Sequence, residues 1–196
     1  MGKLKAGFIG FIPRTAKGDE WYNVLESYAQ IGYKGFEHGS SLLDGDVEAN
    51  LARVKSFGIE PICGRMGGMP GTPDLPLETV AENCHKLGVK RVAVYSSLAA
   101  THRFGMREKP VTYDETMAEI EDLEKKAQFF AKEGIDFMFH NHDTELRTTF
   151  SGIPILDMMY INTGALKFEL DIGWVTYGGK CPIDYIHRFG NRISAL

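Results

Sequence analysis

The sequence predicts a parallel α/β fold, and two observations support that prediction. The first is a repeated unit, in which an amphipathic helix pattern is followed by a glycine and then by a short apolar strand. The second is the distance between successive copies, which matches one strand, one helix and two loops, as right-handed parallel crossovers require. The unit is centred on Gly32, Gly58, Gly88, Gly134 and Gly190, with a looser copy at Gly164.

Seven strand candidates follow from this repeat once the opening segment 6–12 is included. The others end near Glu37, Cys63, Tyr95, His140, Asp171 and Leu196. The longest helix is predicted between Thr112 and Glu133, because its apolar residues fall on one stripe and its acidic residues on the opposite face. That stripe comprises Met117, Ile120, Leu123, Ala127 and Phe130, and the acidic face includes Glu119.

Two parallel architectures compete, a doubly wound open sheet and a (β/α)8 TIM barrel. The open sheet of a dinucleotide-binding domain needs G-x-G-x-x-G after its first strand, and Gly7, Gly10 and Pro13 do not match. Polar residues arrive instead at the strand ends, which is typical of a barrel mouth. A barrel takes about 250 residues, so we expect a single barrel domain over residues 1–196 that stops within its seventh strand, with the terminal strands missing.

Composition narrows the function classes. The 196 residues carry 22 Lys and Arg against 26 Asp and Glu, a net charge of -4, which gives no excess of positive charge for nucleic acid. The longest apolar runs are far below the roughly 20 residues of a spanning helix, and no signal-peptide cleavage site follows the N-terminus. We therefore expect a cytoplasmic protein whose three cysteines are reduced and serve as buried filler.

A chemical constellation is predicted at the fifth and sixth strands. Alternation places His140 and His142 on one face of the fifth strand, and Asp171 ends the sixth strand at the equivalent height. Glu145 follows in the loop after the fifth strand. Imidazole and carboxylate groups together suit a divalent ion with open positions, Mn²⁺, Zn²⁺, Fe²⁺ or Mg²⁺, so a catalytic metal site is expected.

Four further residues are candidates for substrate binding. Glu37 and His38, after the second strand, could hold sugar hydroxyls, and Arg65 could bind a phosphate or a carboxylate. Trp174 could stack on a sugar face. Each has a structural alternative, such as pairing of Glu37 with a lysine or a rim position for Trp174. The segment 96–110 has the length of a lid or of a partner-contacting loop.

Three segments resemble the sugar phosphate isomerase/epimerase family, which has the xylose-isomerase-like TIM barrel. They are the runs 32–37, 140–145 and 168–174, the last followed by Gly178, Gly179 and Pro182. Members of that family bind one divalent ion through a residue of strand five, the Asp of strand six, a His of strand seven and a Glu of strand eight. The resemblance therefore implies Asp171 as a ligand, with Mn²⁺ as the expected ion, and places the last two ligands beyond Leu196.

The resemblance leaves the ligand of strand five open. The family has Glu there, whereas this sequence has His140 at the aligned position and Glu145 further along. His142 would then be the base. Some relatives eliminate the aglycone from 3-oxo-glycosides as C-deglycosidase large subunits paired with a small β-rich subunit, and the His-rich strand five is similar to theirs. A homo-oligomer or a complex with such a small subunit is expected on this resemblance.

The predicted activity is abstraction of a proton next to a carbonyl of a sugar or keto-sugar by a metal-dependent enzyme. Reprotonation at the other carbon gives isomerisation, reprotonation on the other face gives epimerisation, and loss of a β substituent gives elimination. An isomerase or epimerase is the first hypothesis, and a lyase acting on 3-oxo-glycosides is the alternative. A non-catalytic binding or assembly subunit is the third hypothesis.

Overall fold

The computed structural model describes residues 5–9, 12, 16–37, 39–66, 75–103 and 105–196. These residues group into two compact units, one formed by the described residues up to Val92 and the other by those from Ala93 onward. Both units alternate short parallel strands with helices, so the predicted α/β class is confirmed.

The first unit contains a parallel sheet in which the strands follow chain order. Strands β1 (Gly7–Phe8), β2 (Gly35–Phe36) and β3 (Glu60–Pro61) pair side by side. The third predicted strand is interrupted, because β4 (Gly64–Arg65) follows β3 as a separate strand. The helices of this unit are α1 (Asp19–Ile31), α2 (Val47–Ser56) and α3 (Leu77–Leu87), and a 3₁₀ turn spans Gly39–Leu43. Strand β5 (Arg91–Val94) then leads into the second unit.

The second unit is centred on strand β9 (Lys167–Glu169), which pairs with β6 (Asp136–His140) on one side and β10 (Ile193–Ala195) on the other. All three strands are parallel. A small antiparallel hairpin, β7 (Thr149–Phe150) and β8 (Ile153–Pro154), was not predicted. The helices are α4 (Leu98–Arg103), α5 (Tyr113–Lys132), α6 (Thr144–Arg147), α7 (Ile155–Asn162), α8 (Ile172–Tyr177) and α9 (Pro182–Phe189), and a 3₁₀ turn covers Gly190–Arg192.

Helix α5 shows why the repeat folds as it does. Thr112 caps its first turn and forms a reciprocal capping box with Glu115, which satisfies backbone N–H groups that the helix cannot pair internally. The helix ends before Gly134, which adopts a positive φ of 70° as predicted for a glycine after a helix. Gly190 differs from that prediction with a φ of -56°, because α9 continues into the 3₁₀ turn.

Helices α5 and α7 pack against one and the same face of β6 and β9, the face that carries Phe137 and Phe168. Phe130 of α5 stacks on Phe137 of β6, with ring centroids 5.5 Å apart and planes 7° from parallel. Tyr160 of α7 stacks in the same way on Phe168 of β9 at 3.6 Å. Met138, on the other face of β6, is also buried, so both faces of this strand are covered and polar chemistry is left for the strand ends.

The three cysteines are free thiols, but they are not all buried. Cys63, Cys84 and Cys181 are all unoxidised, and burial raises the pKa of the Cys84 thiol to about 11. Cys181, which precedes α9, is exposed, so the prediction of three buried cysteines is wrong at this position.

No helix in the described ranges combines the length and the apolar character that a membrane crossing demands.

Candidate functional site

The ends of β6 and β9 bring the predicted imidazoles and aspartate together. His140 is the last residue of β6, and its ring centroid lies 5.1 Å from that of His142. The Nε2 atom of His140 lies 3.8 Å from Oδ2 of Asp171, which follows β9. Two imidazoles and one carboxylate from adjoining strands therefore meet at the carboxyl edge of the sheet.

Asn141 holds the backbone of Asp171 in place. Its side-chain oxygen accepts a hydrogen bond from the Asp171 N–H at 2.9 Å, and its amide nitrogen donates to the Asp171 carbonyl at 3.2 Å. Asn141 is buried, so this two-point contact joins the strand ends in a water-poor environment. It fixes the position from which the Asp171 carboxylate projects.

The two carboxylate oxygens of Asp171 have different roles, one in capping a helix and one in facing the candidate site. Oδ1 accepts a hydrogen bond from the N–H of Trp174 at 2.8 Å and so caps the start of α8. Oδ2 faces His140. The cap thus orients the carboxylate so that one oxygen points at the imidazole.

Glu145 was predicted in a loop, but residues 144–147 form helix α6 and its side chain lies in the interior. Its side chain is fully buried, with Oε1 accepting a hydrogen bond from the Ser97 hydroxyl and Oε2 accepting one from the His142 N–H at 2.8 Å. Burial raises the pKa of this carboxyl. Its role as a metal ligand stays a prediction.

His142 combines partial exposure with a neutral ring. Burial, together with the charges of His140 and Arg103, lowers the pKa of its imidazole to about 4. The predicted sugar-stacking residue Trp174 lies beside it, with ring centroids 5.3 Å apart. A neutral imidazole next to an indole face can accept a proton from a molecule that rests on the indole.

Segment 96–110, predicted as a lid or a partner-contacting loop, is not loop throughout, because it contains helix α4, and its role stays a prediction. Ser97 caps this helix by accepting a hydrogen bond from the Ala100 N–H. At the other end of α4, Arg103 pairs with Asp143, which also binds Arg147 at 3.0 Å. Helix α4 is therefore tied at both ends to α6 and its N-cap, and the buried Asp143 is balanced by two cations.

The side chains at the strand ends meet some, but not all, of the requirements of a metal-binding site. Asp171 Oδ2 and His140 Nε2 are oxygen and nitrogen donors that face each other, as two ligands of a transition metal would. Among the residues that the structure describes, however, no three His, Cys, Asp or Glu side chains converge to form a metal-binding group. His140 lies between two carboxylates, with Nδ1 3.6 Å from Oε2 of Glu169.

The other predicted substrate-binding residues lie in the first unit. Glu37 follows β2 and is buried, and its backbone N–H donates to the Phe8 carbonyl at 3.0 Å. Arg65 ends β4 and is partly exposed. His38 lies outside the described residues. Their roles in binding stay predictions.

Two residues of the second unit were missed by the sequence reasoning. Glu169 lies two positions before Asp171, and strand alternation alone places both side chains on one face of β9. Asn141 was assigned to the opposite face from the two imidazoles, but its pairing with Asp171 depends on the neighbouring strand. The spacing Glu-x-Asp could have indicated Glu169, whereas no local pattern indicated the role of Asn141.

Glu119 supplies a stability test outside the candidate site. It was predicted on the solvent face of α5, but it accepts a hydrogen bond from the Leu98 N–H, and burial and the charge of Glu145 raise its pKa to about 7. Because this pKa is higher in the folded than in the unfolded chain, stability is full below about pH 4.5 and falls as pH rises towards 7.

We expect Glu119→Gln, which keeps the acceptor oxygen, to unfold at a higher temperature than the wild type at pH 8 and at a similar temperature at pH 5. The gain at pH 8 should be about 1–2 kcal/mol, measured by thermal unfolding at both pH values. Glu121→Gln is the matched control, because Glu121 is exposed on the same helix. Equal gains at both pH values would contradict the prediction.

Comparisons with known proteins identify the fold. No protein-family model matches the chain. An inosose dehydratase of Geobacillus kaustophilus is 26% identical over an alignment of 184 residues, and the match covers 87% of this chain and 59% of that protein. The chain thus spans about three fifths of the length of this curated relative.

Solved structures align with almost the whole chain. A sugar phosphate isomerase/epimerase from Parabacteroides distasonis matches 98% of this chain and 74% of its own, with a TM-score of 0.69 and 19% identity. A 3-keto-D-glucoside 4-epimerase from E. coli matches 98% and 78%, with a TM-score of 0.68 and 16% identity. A probable 3-DHS dehydratase from Bacillus anthracis matches 97% and 71%, with a TM-score of 0.67 and 14% identity. The chain therefore shares the fold of these structures, which agrees with the predicted parallel α/β architecture, although the strands that the structure describes do not close into a barrel.

Proposed function

We propose that this chain is the core of an enzyme that removes a proton from the carbon next to a carbonyl group of a sugar or keto-sugar. The observation that supports the proposal is the meeting of His140, His142 and Asp171 at the carboxyl ends of β6 and β9. In TIM-barrel enzymes the active site lies at this end of the strands. The similar proteins include a 3-keto-D-glucoside 4-epimerase, a probable 3-DHS dehydratase and an inosose dehydratase, as their names state.

His142 is the proposed base. Its imidazole is neutral near pH 7 and lies beside Trp174, so a sugar stacked on the indole would present its C–H bonds to the ring nitrogen. His140 is the second proposed catalytic group, since it is in van der Waals reach of His142 and also faces Asp171. Glu37, His38 and Arg65 remain proposed contacts of the substrate.

Two reactions can follow the removal of the proton. We propose isomerisation or epimerisation first, because a structural neighbour is an epimerase. Elimination is the second, and the match to an inosose dehydratase favours it, because a dehydratase expels a group from the carbon adjacent to the anion. A 3-oxo-glycoside would lose its aglycone in the same way. A non-catalytic binding or assembly subunit is the remaining reading.

A divalent cation, Mn²⁺ first, is part of the proposal. His140 and Asp171 are the described residues that would hold it, and the buried carboxylate of Glu145 is the further candidate ligand. When bound, such an ion supplies Lewis-acid polarisation of a carbonyl oxygen. A homo-oligomer or a complex with a small second subunit, and a cytoplasmic location, are also proposals.

Wash-in of solvent deuterium tests the proposed function. The protein is incubated in D₂O with Mn²⁺ and a panel of keto-sugars, 3-oxo-glycosides and inososes, and each compound is analysed by mass spectrometry and NMR. We expect deuterium next to the carbonyl of at least one compound. Product formation then separates isomerisation, epimerisation and elimination, and absence of exchange across all classes would contradict the proposal.

Metal content of Asp171→Asn tests the cation. We expect this variant to retain at least tenfold less Mn²⁺ than the wild type after dialysis, because the amide is neutral and a weaker ligand than the carboxylate. Asp184→Asn, in the first turn of α9, is the matched control for charge. Equal Mn²⁺ in Asp171→Asn and in the wild type would remove Asp171 from the proposed ligands.

A further inference from the structure

A buried cross-strand pair, His140 and Glu169, is not used by the proposed mechanism. The parallel register of β6 and β9 sets these two residues directly beside each other. His140 Nδ1 lies 3.6 Å from Glu169 Oε2, and both atoms are buried. Within the described part of the chain, neither atom has a hydrogen-bond partner. A buried donor and a buried acceptor that face each other favour a common hydrogen bond.

The two nitrogens of His140 have different surroundings. Nδ1 faces Glu169, whose side chain is 11% exposed, whereas Nε2 faces Asp171, whose side chain is 32% exposed. The ring is flanked by Tyr95 and His142, with centroids at 5.5 Å and 5.1 Å. The inner nitrogen thus meets a buried carboxylate, and the outer nitrogen is directed to the rim of the strands.

A neutral imidazole carries one proton, and its position is set by the stronger acceptor. Carboxylates only accept hydrogen bonds, so either neighbour could take the N–H of His140. An N–H bond to the more buried carboxylate is the stronger, because less water competes for that oxygen and the local dielectric constant is lower. Asp171 also has its other oxygen engaged by the N–H of Trp174. Glu169 is therefore the preferred acceptor.

We propose that Glu169 is a positioning residue that holds His140 in the Nδ1–H tautomer and so leaves the lone pair of Nε2 directed to the rim. A movement of about half an ångström converts the 3.6 Å separation into a hydrogen bond, and active-site contacts of this kind often tighten only in complexes. Support of a histidine by a second carboxylate fixes which nitrogen acts, whether that nitrogen meets a cation or a proton. A catalytic or metal-binding role of Nε2 rests on the proposed function, whereas the tautomer itself does not.

The tautomer can be read directly by NMR of the ¹⁵N-labelled full chain without substrate or metal. His140 signals are assigned by comparison with His140→Gln, and the couplings of each ring nitrogen to the ring C–H protons identify which nitrogen carries hydrogen. We expect Nδ1–H in the wild type. We expect Glu169→Leu, which has no acceptor, to shift His140 towards Nε2–H, the form that free histidine favours. Asp136→Asn is the matched control, because Asp136 lies at the other end of β6 and binds Ser194.

A wild-type spectrum with Nε2–H at His140 would overturn the proposal, as would an unchanged tautomer in folded Glu169→Leu. Glu169→Gln adds a kinetic readout on any compound that exchanges deuterium. We expect kcat to fall about 10-fold to 100-fold with little change in KM, and Glu169→Asp to recover part of the loss. An equal loss in Glu169→Asp and Glu169→Gln, with the tautomer unchanged, would also overturn it. Because the tautomer needs no substrate, the result stands or falls separately from the proposed function.

Discussion

Replacing His142 with glutamine is expected to slow deuterium exchange by about 10² to 10⁴-fold, the range that a positioned acid or base contributes. Glutamine approximates the volume of the imidazole and can form hydrogen bonds, but it has no nitrogen that accepts a proton near pH 7. The loss should fall on kcat, because the ring of Trp174 that would hold the sugar is unchanged.

Folding must be separated from chemistry in that test. His142 donates its backbone N–H to Glu145, and this bond does not depend on the side chain, so the helix α6 end of the site should survive the substitution. Far-UV circular dichroism and Trp174 fluorescence check it. His187→Gln, an exposed position of α9, is the matched control and should exchange at the wild-type rate. A folded His142→Gln protein with full exchange would assign the base elsewhere, with His140 the next candidate.

Much of the second unit could be predicted from the sequence, because its signals are local. Alternation along a strand fixes which side chains share a face, so the proximity of His140 and His142 was predicted without any knowledge of neighbouring strands. Asp171 could be placed beside them because parallel strands end at one edge of the sheet. The capping box of α5 and the glycine after it are local for the same reason.

The parts that were missed depend on contacts between distant segments. The register of β6 against β9 decides that His140 faces Glu169, and nothing in either strand alone specifies that register. Glu119 was assigned to solvent by helix periodicity, yet it caps α4 across 21 residues of sequence. Glu145 was placed in a loop because four residues of helix are too short to show a period.

Glu145 offers the sharpest distinction between scaffold and metal ligand, and we expect its alanine and glutamine variants to behave oppositely. Glu145→Ala should lower the free energy of unfolding by about 2–5 kcal/mol, because it leaves the Ser97 hydroxyl and the His142 N–H buried without an acceptor and opens a cavity. Glu145→Gln should cost much less. Its amide oxygen can accept the His142 N–H, and its amide nitrogen can donate to the Ser97 hydroxyl, which turns to accept.

Urea unfolding and retained Mn²⁺ measure the two roles independently. A scaffold role predicts that Glu145→Gln keeps both the stability and the metal content of the wild type, since burial already raises the pKa of this carboxyl and makes the loss of its charge inexpensive. A ligand role predicts the reverse for metal, because an amide replaces an anionic donor and Glu145→Gln would then lose Mn²⁺ as Asp171→Asn does. The hydrogen bonds to both oxygens lead us to expect the first result, which would leave His140 and Asp171 as the described donors and make Glu145 the buried support of the His142 backbone.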